Sequence, residues 1–105
     1  MAIINEREVQ EGKQYQGVDE IISYTLDVTA VGSSPTTPTV VVKDVTNGTT
    51  VTATVMPTNS PTVNGNVITL SPLRSLTADV LYRVEVKYVL SGNTLESYFL
   101  VQGQE

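Results

Sequence analysis

Hydrophobic and polar residues alternate most regularly in the C-terminal third of the chain. Between residues 82 and 88, tyrosine or valine occupies every second position and charged residues lie between them. A period of two is typical of an antiparallel strand with one buried face. Residues 91–93 (Ser-Gly-Asn) predict a tight turn, and residues 94–101 predict the returning strand. The stretch 73–101 therefore predicts a corner followed by a long β-hairpin.

Shorter segments upstream show the same alternation of apolar and polar residues. Residues 21–29 predict the first strand, and residues 67–70 predict a short one before Ser-Pro. Asn47-Gly48 predicts a type I′ hairpin turn between strands at 40–45 and 49–56, because that turn needs positive φ at both central positions. The buried positions predicted for the first strand are Ile22, Tyr24, Leu26 and Val28.

Two polar stretches and one corner separate these strands. Residues 30–39 and 57–66 are rich in Pro, Thr, Ser, Asn and Gly, which predicts two long loops. Leu73 and Leu76 suit either a single helical turn or a bent crossover that closes one end of the core. Tyr82 follows them as a core aromatic residue or, alternatively, as a tyrosine corner.

Composition supports an all-β fold. Valine and threonine make up about 30% of the 105 residues, and both are β-branched. Six or seven short strands separated by turns predict an immunoglobulin-like antiparallel β-sandwich over residues 20–105, with a small barrel as the alternative. No Cys or Trp occurs, which excludes the disulfide-bonded antibody domains. A chain of this length can bury one core without cross-links.

Residues 1–19 differ from the rest because they are charged and carry few apolar side chains. We expect either a solvated terminus or an extended N-terminal arm that docks on a neighbouring subunit by strand addition. Both alternatives remain open on the sequence alone. The candidate docking residues of the arm are Ile3, Ile4, Val9 and Tyr15.

Residues that carry catalytic chemistry are scarce. The chain has no His and no Cys, so the usual general base, thiol nucleophile and zinc ligands are missing. No glycine-rich element precedes a helix, and the carboxylates do not pair at a spacing typical of acid and base roles. We therefore expect a protein that is not an enzyme and that binds no cofactor or metal.

Charge and hydropathy restrict the partners. The net charge of −5 with scattered Lys and Arg predicts no nucleic-acid binding. No window approaches the roughly 20 apolar residues of a membrane helix, so we expect no membrane partner. The first residues lack the pattern of a signal peptide, which predicts synthesis in a cytoplasm unless a leader has been removed.

The strand and turn residues resemble the small immunoglobulin-like accessory proteins of tailed bacteriophage virions, both capsid decoration proteins and fibre-to-tail adaptors. The resemblance covers most of the chain after residue 20 and rests on Tyr24-Thr25-Leu26-Asp27-Val28, Gly65, Val67, Thr69, Leu70, Tyr82, Val84, Val86, Gly92, Phe99 and Val101.

That resemblance implies a non-enzymatic structural protein, assembled into the virion in the host cytoplasm. It would decorate and stabilise the capsid by binding the major capsid protein or another virion protein. The alternatives are a tail or neck adaptor, and an immunoglobulin-like binding module of a bacterial surface protein. A homo-oligomer is left open.

Overall fold

The computed structural model describes residues 12–29, 32 and 34–105. Within these residues the chain forms eight strands and one short helix. The strands are β1 Gln14–Gly17, β2 Thr25–Asp27, β3 Thr36–Asp44, β4 Thr49–Thr50, β5 Thr62–Asn64, β6 Val67–Thr69, β7 Leu81–Leu90 and β8 Asn93–Gln104, and the helix α1 is Thr52–Val55. The predicted all-β class is confirmed.

The strands form two sheets. The large sheet has the order β1-β8-β7-β3-β4, and the small sheet has the order β2-β6-β5. β1 lies parallel to β8, with Gln14 opposite Val101 and Gly17 opposite Gln104, whereas the other pairs are antiparallel. The prediction of a wholly antiparallel fold with six or seven strands is therefore wrong at this edge. Parallel strands need a long crossover, and here that crossover is most of the chain.

The core lies between the two sheets and is formed by the side chains on one face of the strands. On β7, Tyr82, Val84 and Val86 are at most 3% exposed, while the residues between them are half-buried. Leu26 and Ile68 contribute from the small sheet to the same buried cluster. Full burial of such side chains stabilises the fold by about 1.5–3 kcal/mol each. The face assignments made from the alternation in β2 and β7 are confirmed.

The β7–β8 hairpin has the predicted turn. Leu90 pairs with Asn93, so Ser91 and Gly92 form a two-residue connection. Their φ angles are 51° and 81°, the positive values that a type I′ turn requires. This turn continues the twist of both strands, which lets β7 and β8 pair over their whole common length.

The β3–β4 hairpin exists, but its turn is not the predicted type I′. Asp44 pairs with Thr49 across a four-residue loop, in which Gly48 has a φ of 73° and Asn47 does not have a positive φ. The Asp44 carboxylate accepts hydrogen bonds from the Asn47 backbone N–H at 2.9 Å and from its side-chain amide at 2.8 Å. The Asp44 carboxylate, rather than the backbone conformation of a type I′ turn, therefore fixes the position of Asn47.

The strand predicted to run to Met56 ends at Thr50, and α1 follows it. Val51 and Val55 lie one helical turn apart, so a helix places both on the side that packs on the core. Met56 is also buried, at 1% exposure. Burial of these closely spaced residues against the core overrides their strand propensity.

The two predicted loops are shorter than expected. β3 already begins at Thr36, with an irregularity in its pairing between Thr36 and Thr39. The second loop contains β5, whose three residues are all exposed and therefore show no alternation. Leu73 pairs with Ile22 in an isolated bridge, so the bent crossover is the alternative that the corner adopts.

Tyr82 combines both roles considered for it. Its ring is buried in the core at 3% exposure. Its hydroxyl accepts a hydrogen bond of 2.8 Å from the backbone N–H of Thr77, five residues upstream. A tyrosine near the start of a strand that bonds back to the preceding corner is the arrangement known as a tyrosine corner.

Part of the predicted arm belongs to the large sheet. β1 lies within the range 1–19, and Gln16 on β1 is fully buried. The backbone N–H of Val18 continues the pairing by donating to Gln104 O at 2.7 Å. Residues 1–11 lie outside the described residues. The domain boundary after residue 19 stays a prediction, although β1 on the arm side of it pairs with β8 of the large sheet.

Candidate protein-docking face

The surface of the large sheet that points away from the core is the main candidate site, and we name it the outer face. It is built from the alternate residues of β1, β3, β7 and β8 that the core does not use. Its side chains include Tyr15, Thr39, Val41, Lys43, Leu81, Arg83, Glu85, Lys87, Val89, Thr94, Glu96, Tyr98, Leu100 and Gln102, with the Lys13 ammonium at its edge.

Strand register arranges these side chains in rows across the sheet. One row is Tyr98, Glu85 and Val41, and the neighbouring row begins with Leu100 and Arg83. Facing residues of antiparallel strands have Cβ atoms about 5 Å apart, so members of a row touch. The hairpin thus presents a regular pattern of apolar and charged groups.

Several apolar side chains on the outer face are open to solvent. Tyr15 is 54% exposed and Val41 is 39% exposed, and Val45 in the adjoining loop is 48% exposed. Tyr98 and Leu100 on β8 are half-buried on the same face. The register places Tyr15 beside Gln102 and Val41 beside Glu85, so the apolar side chains are distributed among polar and charged ones. Protein interfaces combine apolar and polar groups in this way.

A charged cluster lies at the centre of the outer face. Arg83 Nε lies 2.9 Å from Glu85 Oε2 as a close ion pair rather than a well-aligned hydrogen bond, and Lys43 Nζ lies 4.0 Å from Glu85 Oε1. The Arg83 guanidinium also lies 4.0 Å above the centre of the Tyr98 ring. A guanidinium over an aromatic face gains cation–π attraction and loses mobility. Arg83 and Tyr98 therefore form a preorganised contact point.

Positive charge is concentrated on the outer face of this acidic protein. Of the five Lys and Arg residues within the described part of the chain, four lie there and only Arg74 lies elsewhere. Glu85 and Glu96 are its carboxylates, which leaves two net positive charges on the face. The molecule as a whole carries a net charge of −5. Segregation of this kind favours an acidic surface as the partner of the outer face.

Tyr15 is the predicted docking residue that the structure locates. It lies on β1 opposite Gln102, and the Lys13 ammonium lies 5.2 Å from the centre of its ring. Lys13 also donates a hydrogen bond of 2.9 Å to Gln102 Oε1. Tyr15 is thereby tied to the outer face. The other three predicted docking residues, Ile3, Ile4 and Val9, lie outside the described residues.

Sequence reasoning missed the rest of the outer face because it treated the polar side of each strand as solvated. The sequence nevertheless contains a pattern that could have indicated this face. Val41, Leu81, Val89, Tyr98 and Leu100 all have the parity of the polar side, so the strands are partly apolar on both faces. That pattern indicates a sheet that is covered on both sides.

Two titratable groups outside this face have shifted pKa values. Burial, followed by the nearby Glu20 carboxylate, raises the pKa of Tyr24 above 10.0. Hydrogen bonds from the hydroxyl and the backbone N–H of Thr29 lower the pKa of Asp27 below 3.8. Both shifts arise from local structural contacts and do not indicate a paired general acid and base.

Among the described residues, no three or more His, Cys, Asp or Glu side chains come close enough to hold a metal ion. The same residues contain no helix long and apolar enough to cross a membrane. The expectations of no enzymatic activity, no cofactor and no membrane partner stay predictions.

Comparison with known proteins identified no relative of this chain. No family model, curated protein or solved structure matches this chain.

Proposed function

We propose that this protein is a non-enzymatic, immunoglobulin-like structural protein that binds a protein partner through its outer face. In this proposal the partner is the major capsid protein of a tailed bacteriophage, and the bound domain decorates and stabilises the capsid. The observation that carries the proposal is the outer face, which combines exposed apolar side chains with four of the five Lys and Arg residues that the structure describes.

Strand order supports the immunoglobulin-like assignment. The small sheet, β2-β6-β5, has the order of strands B, E and D, and β8-β7-β3-β4 has the order of G, F, C and C′. The hydrogen bond from Thr77 N–H to the Tyr82 hydroxyl supplies the tyrosine corner expected at the start of strand F.

The chemistry of the outer face supports docking on protein rather than on nucleic acid. Arg83, Lys43 and Glu85 form a mixed cluster of both signs, whereas a phosphate-tracking surface would be uniformly basic. The exposed Tyr15 and Val41 supply the apolar contacts that central parts of protein interfaces use. An acidic, partly apolar patch on the partner is the complementary surface.

Assembly would follow from modest contacts repeated many times. A standard interface buries about 800 Å² on each partner. On a shell with many equivalent sites, an interface of this size that bridges two subunits resists their separation, because both contacts must break together. The domain needs no catalytic residue for this role.

The experiment is co-sedimentation of the purified protein with undecorated heads of a tailed phage. The wild-type chain is compared with Lys87→Glu on the outer face and with Arg74→Glu elsewhere, since both residues are exposed and the charge change is the same. We expect saturable binding, an affinity about tenfold weaker for Lys87→Glu, which corresponds to about 1.4 kcal/mol, and no change for Arg74→Glu.

Three other results would contradict parts of the proposal. Equal losses for the two variants would show that the outer face is not the contact. Binding to isolated tails instead of heads would favour the tail or neck adaptor. Failure to bind either particle, with binding to a glycan array, would favour the module of a bacterial surface protein.

A further inference from the structure

Two Asn-Gly pairs, Asn47-Gly48 and Asn64-Gly65, lie at the turns of two hairpins. In such a pair the backbone nitrogen of the glycine can attack the side-chain carbonyl carbon of the asparagine, because glycine has no Cβ that hinders the approach. Both asparagines and both glycines are exposed to solvent. Exposure therefore does not distinguish the two sites, but the hydrogen bonds around them do.

The reacting groups of the Asn47-Gly48 pair are held by Asp44. The Asn47 side-chain amide donates a hydrogen bond of 2.8 Å to Asp44 Oδ2. The Gly48 N–H, whose nitrogen is the potential nucleophile, donates one of 2.8 Å to the Asp44 backbone oxygen. Attack on the side chain requires the Gly48 nitrogen to turn away from this acceptor and the amide to leave the carboxylate. Asp44 therefore protects Asn47.

The Asn64-Gly65 pair is less restrained in the part of the chain that the structure describes. Within residues 12–29, 32 and 34–105, no group accepts a hydrogen bond from the Asn64 side-chain amide or from the Gly65 N–H. β5, which ends at Asn64, is a three-residue edge strand that is exposed throughout. A strand with so little burial opens locally at a low free-energy cost. Opening lets the Asn64 backbone leave its extended conformation and bring the side chain to the Gly65 nitrogen.

We propose that Asn64 is a site of spontaneous deamidation and that Asn47 is protected from the same reaction. The Gly65 nitrogen bonds to the side-chain carbonyl carbon of Asn64, and ammonia leaves with the side-chain nitrogen and the displaced proton. Water then opens the resulting cyclic imide at either carbonyl carbon, which gives aspartate or isoaspartate. This inference does not depend on the proposed function, because the reaction needs only water and no partner.

Either product adds a negative charge at the edge of the small sheet. Asn64, Val67 and Asp27 lie in one row across β5, β6 and β2, so the new carboxylate lies on the same face as Asp27. Isoaspartate also lengthens the main chain by one carbon, which disturbs the pairing of residue 64 with Val67. The modification thus weakens the β5–β6 hairpin and leaves the outer face, on the other sheet, unchanged.

The test is incubation of the full-length protein in mildly alkaline buffer, followed by peptide mapping with mass spectrometry. This measures the rates at both asparagines in one sample. In the folded protein we expect Asn64 to react at least about tenfold faster than Asn47, which corresponds to about 1.4 kcal/mol between the two barriers. The same protein unfolded in guanidinium chloride is the reference. There we expect similar rates at the two sites, because both asparagines precede glycine.

Asn64→Gln and Asn47→Gln are matched variants, because glutamine would have to form a larger ring and both positions are exposed. Ion-exchange chromatography separates the more acidic product from the unmodified protein. We expect this product to be nearly lost in Asn64→Gln and to form at close to the wild-type rate in Asn47→Gln.

Equal rates at the two sites in the folded protein, or no reaction at Asn64, would overturn the modification site. The same preference in the unfolded protein would overturn its structural cause, because local sequence rather than the hydrogen bonds to Asp44 would then set the rates. Absence of capsid binding by the unmodified protein, with the expected deamidation rates, would contradict the proposed function alone.

Discussion

Gln16 and Leu73, 57 residues apart in sequence, are joined by a buried hydrogen bond of 2.7 Å from the Gln16 side-chain amide to the Leu73 carbonyl oxygen. The same amide donates to Glu20 O at 3.0 Å, and Gln16 Oε1 accepts from the Tyr24 hydroxyl at 3.0 Å. Gln16 is fully buried. One side chain on β1 thus connects the large sheet to the corner and to the segment before β2.

We therefore predict that Gln16→Leu lowers the free energy of unfolding by about 2 kcal/mol. The substitution removes the hydrogen bonds to the partly buried Glu20 carbonyl and Tyr24 hydroxyl, and one of the two donors to the buried Leu73 carbonyl, the other being Ile22 N–H. Urea denaturation measures this change. Gln14→Leu, a half-buried position on the same strand, should cost less than about 1 kcal/mol. Similar losses in both variants would mean that the Gln16 hydrogen bonds do not stabilise the fold.

Neighbouring valines on β3 face opposite sides of the large sheet. Val42 is 0% exposed and Val41 is 39% exposed. Val42→Asp should unfold the domain, since an unpaired buried carboxylate costs several kcal/mol. Val41→Asp should cost about 1 kcal/mol or less. Circular dichroism and thermal melting distinguish the two variants, and a folded Val42→Asp protein would contradict the assignment of the core face.

The tyrosine corner gives a third prediction. Tyr82→Phe keeps the ring in the core and removes the acceptor of the Thr77 N–H. We expect a loss of about 1 kcal/mol and faster hydrogen exchange at the Thr77 amide. Tyr15→Phe, at an exposed position, should change neither quantity. Unchanged exchange at Thr77 in Tyr82→Phe would show that the hydrogen bond is not formed in solution.

The Asp27–Thr29 turn predicts a pH effect with a definite sign. Because its hydrogen bonds favour the charged form, the folded-state pKa of Asp27 lies below 3.8. The carboxylate therefore adds stability above its unfolded-state pKa and loses that contribution as the pH falls through the folded-state pKa. Thr29→Ala removes the hydroxyl donor and should raise the pKa of Asp27 toward 3.8. An NMR titration of the Asp27 carboxyl carbon measures this shift, with Thr25→Ala as the unaffected control.

Elements with a strong local pattern were predictable. The β7–β8 hairpin followed from alternation and from the Ser91-Gly92 turn, because each buried face is encoded by residues two apart. Elements without such a pattern were not. β5 is exposed along its length, and α1 spans four residues, which is too short for a helical period to appear.

The outer face, too, was predictable only in part. Tyr15 was predicted as a docking residue from its place in the charged N-terminal region, but its neighbours on the outer face were not. Lys13, Gln102 and Arg83 come from distant parts of the chain, and their proximity depends on the parallel pairing of β1 with β8 and on the β7–β8 register. No local sequence pattern contains that information.

By itself, the sequence determined the all-β class, the buried parity of the main strands and the position of the long hairpin, because side-chain burial along a strand is a local property. Tertiary structure decided three further features. These are the parallel placement of β1, the burial of Gln16 under Leu73 and the segregation of positive charge onto one sheet face. Each depends on which strands become neighbours, and that choice reflects the packing of the whole core rather than of any one segment.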